Sequence, residues 1–300
     1  MLQTFNPKNA DLQVFVKDRL FHRHEAKVSV FDSSVQGGDA VWEGLRVYRG
    51  KIFCPNRHLR RLRESAKALM FADIPEENFI KKAIFQTLKA NGMRDETHIR
   101  LTLTRGEKIT SGMDPRLNQA GSCLIVLAEW KPPVYDNQKG IRVITSAVAR
   151  NSPMHLDSKI HHNNLLNNIL AKIQANVAGA DAAIMLDAYG FVSELNDTNL
   201  FMARDGRLYT PHADACLPGI TRGLIMEIGA SLGLEVIEKN LSLTDFYNAH
   251  EVFATGTMGE LTPVEEIDGR QIDRHPGSLL PRLRERFDQL TDELSEPLPF

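Results

Sequence analysis

Two hydrophobic periods take turns along this chain, and each predicts a different kind of element. Residues 27–31 (KVSVF) alternate apolar and polar positions, which predicts a strand. Residues 47–53 (VYRGKIF) predict a hairpin turning at Arg49-Gly50. From residue 58 to 71 the spacing becomes helical, with Leu59, Leu62, Ala66, Leu69 and Met70 on one face. Residues 78–91 predict a second helix, and residues 97–104 and 123–128 two further strands.

A polar, proline-bearing stretch, residues 131–139 (KPPVYDNQK), then breaks the pattern and reads as a linker. It predicts a smaller N-terminal α/β domain at 1–133, a linker at 134–139 and a larger C-terminal domain at 140–300. In that second part a strand is expected at 141–147 and a helix at 163–178. Short strands follow at 182–186, 191–194, 200–203 and 208–209, with a turn at Asp205-Gly206. A helix at 220–232 and strands at 234–237 and 251–254 complete the prediction. The fold class is α+β or mixed α/β; regular βαβ alternation and a GxGxxG fingerprint are both missing, which argues against a dinucleotide-binding domain.

Composition narrows the class. With 42% hydrophobic and 25% charged residues the chain reads as an ordinary globular protein. A net charge of −2 provides no global field for nucleic acid or an anionic membrane, so any anion must be held locally. Three scattered cysteines without CxxC spacing argue against a disulfide framework or a zinc site and fit a cytoplasmic location. The N-terminus lacks a secretory pattern, and no stretch has the length of a membrane span. Adjacent histidines at 161–162 and 22/24 lack i, i+4 spacing or a cysteine cluster, so no metal site is expected.

Four local features carry possible chemistry. Gly219-Ile220-Thr221 opens a helix, where unpaired N–H groups and the helix dipole favour an anion; an ordinary helix start has the same pattern. Thr255-Gly256-Thr257 follows a strand and forms either a second anion cup or a polar turn. Lys159 precedes the 163–178 helix, whose positive end is expected to repel its ammonium and favour a neutral, nucleophilic amine; a solvated loop lysine is the ordinary alternative. Glu194 ends a short strand and either faces a buried cation or lies on the surface.

Order and spacing join these features. Lys159, Phe191-Val192-Ser193-Glu194, Leu217-Pro218-Gly219-Ile220-Thr221-Arg222, Thr255-Gly256-Thr257 and Glu260-Leu261-Thr262-Pro263-Val264 occur in one succession. They follow Val41-Trp42-Glu43-Gly44-Leu45-Arg46 and His58-Leu59-Arg60-Arg61-Leu62. The chain thereby resembles the fold-type IV pyridoxal-phosphate enzymes over nearly its whole length, and within them the branched-chain aminotransferases. The resemblance implies pyridoxal 5'-phosphate as cofactor and Lys159 as the residue that holds it as a Schiff base and moves the α-proton. Glu194 is implied as partner of the ring nitrogen and Leu217 as a packing surface for the ring. Arg61, Gly219, Ile220, Thr221 and Thr257 are implied as the phosphate cradle.

For substrate, the resemblance points to Trp42, His98, Arg100, Tyr135, Thr257 and Met258. It sets Arg100 against the side-chain carboxylate of glutamate. It implies ping-pong exchange between a branched-chain or other apolar L-amino acid and 2-oxoglutarate, in a homodimer. Gly37, His98 and Asn164 stand where the group usually has tyrosines, which leaves open a D-amino-acid or (R)-amine transaminase, or a lyase resembling aminodeoxychorismate lyase. Arg116-Leu117-Asn118 comes nearest to the arginine-x-histidine pair of the D-amino-acid enzymes and lacks the histidine.

Overall fold

A computed structural model describes residues 4–272 and 278–300. In chain order the first elements are β1 (Gln13–Val16), β2 (Arg19–His22), α1 (Ser33–Gly37), β3 (Ala40–Tyr48), β4 (Lys51–Phe53), α2 (Pro55–Ala68), α3 (Glu77–Asn91), β5 (Thr97–Thr104) and β6 (Cys123–Trp130). Then come β7 (Ile141–Thr145), α4 (Leu166–Val177), β8 (Ala182–Leu186), β9 (Val192–Leu195), β10 (Asn199–Arg204), β11 (Arg207–Thr210) and α5 (Ile220–Ser231). The chain ends with β12 (Val236–Glu238), α6 (Leu243–Tyr247), β13 (Glu251–Gly256), β14 (Glu260–Ile267), β15 (Arg270–Gln271), α7 (Leu280–Glu293) and β16 (Ser295–Pro297).

Contacts divide these elements into two units. The N-terminal unit holds residues 4–132 together with Ile160–Asn164 and Thr291–Phe300; the C-terminal unit holds Pro133–Lys159 and Leu165–Leu290. The chain therefore does not divide once, at the linker: two short stretches beyond residue 140 belong to the N-terminal unit.

The N-terminal unit is built on an antiparallel sheet ordered β16-β4-β3-β5-β6-β1-β2. Period-two alternation decides what each face carries. Val41, Glu43, Leu45 and Val47 of β3 and Ile99, Leu101 and Leu103 of β5 point to one face. There Leu59 and Leu62 of α2 and Ile80, Ile84 and Leu88 of α3 close a buried core. Trp42, Gly44 and Arg46, with His98 and Arg100, fall on the other face, Gly44 opposite Arg100 and Arg46 opposite His98. Glu43 is thus a carboxylate on the face that α2 covers.

The C-terminal unit has a mixed sheet ordered β12-β11-β10-β13-β14-β7-β8-β9, with β15 attached to β14. The β11–β12, β14–β7 and β7–β8 pairs are parallel. β8 is buried on both faces: Ala182 and Ile184 join the main core, while Ala183 and Met185 meet Ala171 and Ala175 of α4.

Both predicted turns form with positive φ, at Arg49-Gly50 (48°, 76°) and Asp205-Gly206 (52°, 75°), as tight two-residue hairpins require. Residues 27–31 are not a strand. Val30 and Phe31 are exposed, so the alternation has no face to bury, and the sheet edge is formed by the β1–β2 hairpin instead. α2 stops at Ala68, and Met70 (φ 54°) is exposed. α4 begins at Leu166 rather than 163, because the Asn163 N–H is given to Ala40 O and the segment before the helix runs with the N-terminal unit.

Candidate active site

In the C-terminal unit Lys159 lies on the loop between β7 and α4. It is seven residues before the first residue of α4, so the expected repulsion by that helix end does not act on it; the dipole effect fades within a turn. Its ammonium instead pairs with Asp157 at 3.2 Å and reaches Asp214 O at 3.4 Å. Ser158 beside it is buried and donates to Asn151 O, which fixes the loop locally.

Glu194 is buried on β9. Arg150 Nε donates to its Oε1 at 2.6 Å and Asn199 Nδ2 to its Oε2 at 3.1 Å, with the Leu217 N–H as a further donor. Burial pushes its pKa up, and Arg150 only partly offsets this. The loop leading to α5 ties the acid to the lysine. Asp214 O accepts from Lys159, Ala215 O from Ser193 Oγ, and Leu217 O from Asn199 Nδ2. The amine and the acid, 35 positions apart in sequence, are therefore gripped by one four-residue stretch.

At the end of this loop Gly219 is the N-cap of α5, and no side chain caps the helix. A Cβ on Gly219 would lie 2.1 Å from Asn199 Oδ1, so only glycine lets the loop close against the residue that also holds Glu194. The first-turn N–H groups, including those of Ile220 and buried Thr221, have no intrahelical acceptor. On β13, which packs against α5, the Thr255 hydroxyl is buried and has no hydrogen-bond partner among the described residues. Gly256 and half-buried Thr257 follow, Gly256 closing tightly on Thr198. A primary amine, an acid with raised proton affinity, a free helix N-terminus and an orphaned hydroxyl fit the donor needs of a phosphorylated pyridine aldehyde.

Two expected substrate contacts have other partners in this unit. Tyr135 is buried and donates to both carboxylate oxygens of Asp197 at 2.8 and 2.9 Å; burial and that carboxylate hold its phenol well above the usual range. The Met258 carbonyl accepts the Val134 N–H at 2.8 Å.

The N-terminal unit holds a second polar cluster. Arg61 meets fully buried Glu43 with two parallel bonds, Nε–Oε1 and Nη2–Oε2, both 2.8 Å. His58 Nδ1 lies 2.7 Å from Oε2 and His161 Nδ1 3.1 Å from Oε1. His58 and Arg61 stand three apart on α2 and so present one face to β3. Burial alone would raise the Glu43 pKa; Arg61 and His161 reverse this and hold it well below the usual carboxylate range. Burial lowers both histidines, His161 to about 4, against the opposing pull of Glu43.

On the other face of the sheet Arg100 stacks on Trp42, its guanidinium carbon 3.4 Å from the ring centroid, and donates to Asn163 Oδ1 at 2.8 Å. No carboxylate pairs with Arg100 among the described residues, and burial alone lowers its pKa to about 10. His98, on the same face, is pushed down to about 3 by burial. Gly37 closes α1, and Asn164 lies against Gly38.

Sequence did not single out Arg150 or Asn163, named Thr255 only within its turn, and gave no role to Glu43, Asn199 or His161 beyond quoting the first two in motifs and setting the third aside as a metal ligand. Glu43 carried a readable signal, a charge at a core-facing position of β3. The others depend on contacts that only the fold creates.

Two sheets of this order, with a lysine and a buried acid sharing one loop, define the fold-type IV aminotransferase architecture. Residues 40–267 match the family model for amino-transferase class IV. Branched-chain-amino-acid aminotransferase-like protein 2 of Arabidopsis thaliana is 58% identical over 98% of this chain, and the chain spans 53% of that relative's length. A branched-chain-amino-acid aminotransferase of Pseudomonas aeruginosa is 33% identical, covering 86% of each chain. The solved structure of the T.th. branched-chain amino acid aminotransferase complexed with N-(5'-phosphopyridoxyl)-L-glutamate superposes with a TM-score of 0.88 at 32% identity. The superposition covers 96% of this chain and 99% of that one. The chain belongs to the class IV aminotransferase family.

Proposed function

We propose that this chain is a pyridoxal-phosphate-dependent transaminase that moves an amino group between a branched-chain or other apolar L-amino acid and 2-oxoglutarate. The observation that carries the substrate reading is Arg100, a largely buried guanidinium with no carboxylate partner among the described residues. An uncompensated buried charge is costly, and a side-chain carboxylate is a ligand that relieves it. Trp42 stacks on the guanidinium and helps fix its position. His98, Tyr135, Thr257 and Met258 are kept as further substrate contacts on this reading.

The residues divide the chemistry among them. Bound pyridoxal phosphate supplies an aldehyde conjugated to an electron-withdrawing ring. Lys159 Nζ would be the amine that holds the cofactor and, once freed by the substrate amine, would take the substrate's Cα proton and return a proton to the cofactor carbon within the same half of the exchange. Glu194 would pair with the ring nitrogen and favour its protonated state, while Arg150 and Asn199 keep the carboxylate in place. The α5 N-terminus with Gly219, Ile220 and Thr221, and the hydroxyls of Thr255 and Thr257, would donate to the phosphate oxygens. Arg61, oriented by Glu43, would add a guanidinium, and Leu217 would pack on the ring.

We place the enzyme in the cytoplasm as a homodimer. Supporting the first, Cys54, Cys123 and Cys216 are all buried and unpaired. Supporting the second, α4 turns its alanines inward and leaves Leu166, Ile169, Leu170, Ile173 and Val177 exposed along one stripe.

A half-reaction screen tests the function: the loaded protein is mixed with L-leucine, L-glutamate, D-alanine and (R)-1-phenylethylamine while cofactor absorbance is followed. L-leucine and L-glutamate are expected to react. Arg100→Leu should lower the glutamate-to-leucine ratio of kcat/KM about 10- to 100-fold. Reaction with D-alanine or the (R)-amine alone contradicts the reading.

A further inference from the structure

The bond between Arg100 and Asn163 has no part in the chemistry described above. Arg100 Nη2 donates to Asn163 Oδ1 at 2.8 Å, and this is the one hydrogen bond the guanidinium makes among the described residues. A guanidinium is planar, with a face that stacks and an edge that donates. The Trp42 ring takes the face at 3.4 Å, and the Asn163 amide takes part of the edge.

Backbone bonds hold both partners in one frame. Asn163 N–H donates to Ala40 O at 2.8 Å and Trp42 N–H to His161 O at 2.9 Å, on either side of a bridge between Val41 and His162. The Trp42 indole N–H adds a bond to His162 O at 3.1 Å. Ala40–Trp42 open β3, which pairs residue by residue with β5, the strand of Arg100. Position 163 is therefore placed by the same sheet that carries the guanidinium.

The chemistry of this acceptor matters. An amide oxygen satisfies an N–H and leaves the positive charge in full. A carboxylate in its place would form a charge-assisted pair, about twice as strong as a neutral bond, and cancel the charge. Arg100 is thus held in position without being neutralised. An apolar substrate leaves the bond to Asn163 intact. A substrate carboxylate supplies the missing charge through the N–H groups that Asn163 does not use.

We propose that Asn163 is a positioning residue that sets specificity: its neutral amide orients Arg100 and keeps the charge open to a substrate's side-chain carboxylate. The charge at position 163 then decides the ratio of acidic to apolar substrates. The inference rests on the reading of Arg100 as the carboxylate-binding group and names the residue that keeps it available.

The test compares cofactor-loaded wild type with Asn163→Asp, which keeps the bond and closes the charge, and Asn163→Leu, which loses the bond and leaves the charge open. In Asn163→Asp the KM for L-glutamate is expected to rise about 100-fold, with the KM for L-leucine and both kcat values within about threefold of wild type. Asn163→Leu is expected to raise the glutamate KM by less than about tenfold. A merely structural role predicts the opposite order, since Asp preserves the contact and Leu does not. Calorimetric titration with glutarate, a dicarboxylate without an amine, and with isocaproate gives a readout independent of turnover. Asn163→Asp is expected to lose glutarate and retain isocaproate.

Glutamate and glutarate handled by Asn163→Asp as well as by Asn163→Leu overturn the inference and leave the transaminase reading standing. Equal loss of acidic and apolar ligands in Asn163→Asp overturns it too. If wild type takes leucine but neither glutamate nor glutarate, the reading of Arg100 itself fails, and the inference fails with it.

Discussion

Glu43 and Glu194 are both buried carboxylates paired with an arginine, yet their proton affinities move in opposite directions. Burial works against ionisation in both. At Glu43 two Arg61 bonds and two histidine contacts engage both oxygens, and ionisation wins. At Glu194 one guanidinium N–H, one amide and one backbone N–H are too few to overcome desolvation, and the pKa rises. Burial sets the size of the problem, and the number of charged donors sets its sign. The fully paired acid is a structural anchor. The under-paired acid retains an affinity for a cation that a protonated ring nitrogen can satisfy.

Removing each acid should separate these roles. Glu43→Ala strands Arg61 and withdraws the acceptor from two buried histidines, so it is expected to destabilise the protein by about 3–5 kcal/mol in urea unfolding. Glu194→Gln keeps a similar shape and an oxygen for Arg150. It is expected to lower kcat about 100- to 1,000-fold, with weaker retention of cofactor. A Glu43 variant of unchanged stability breaks the comparison, as does a Glu194 variant of unchanged turnover.

Acid should expose the contrast next. His161 and His98 have folded pKa values of about 4 and about 3, below the ordinary 6.5. The stability they contribute is complete above pH 6.5 and is lost as pH falls toward those values. Glu43, lowered too, adds its loss below the usual carboxylate range, whereas Glu194, raised, favours the folded state as it protonates. Thermal unfolding of the ligand-free protein is therefore expected to drop between pH 6.5 and 4, and His161→Phe to shrink that drop. A flat profile contradicts the assignment of neutral buried histidines.

The smallest effect is expected at Thr255. Replacing an unpartnered buried hydroxyl by a methyl leaves no lost bond in the empty protein, so Thr255→Val should be neutral or stabilising by under about 1 kcal/mol. The same change should weaken cofactor binding if that hydroxyl meets the phosphate. Equal loss of stability with and without cofactor argues for a purely structural role.

Much of the frame was legible in the chain itself. Arg49-Gly50 and Asp205-Gly206 were readable because a tight hairpin demands positive φ from its own two residues. Lys159, Glu194 and the Gly219-Ile220-Thr221 start stood out through their succession. The misses have a common cause in distant partners. Residues 27–31 alternate as a strand should, yet no neighbour covers them. The helix at Leu166 starts late because Asn163 is bonded to Ala40, more than 120 positions earlier. Arg150, Asn199 and His161 look like ordinary polar residues until the fold sets them against Glu194 and Glu43. The charge of Glu43 on a core-facing strand position was the one signal open to a closer reading of period two.

The central claim is that the amine of Lys159 carries the cofactor in reach of Glu194. Reducing the pyridoxal-phosphate-loaded protein with borohydride and mapping the tagged peptide by mass spectrometry tests it most directly. The account predicts one tag per chain, on Lys159, and none in Lys159→Ala. A tag on another lysine, or a stoichiometric tag that persists in Lys159→Ala, contradicts it.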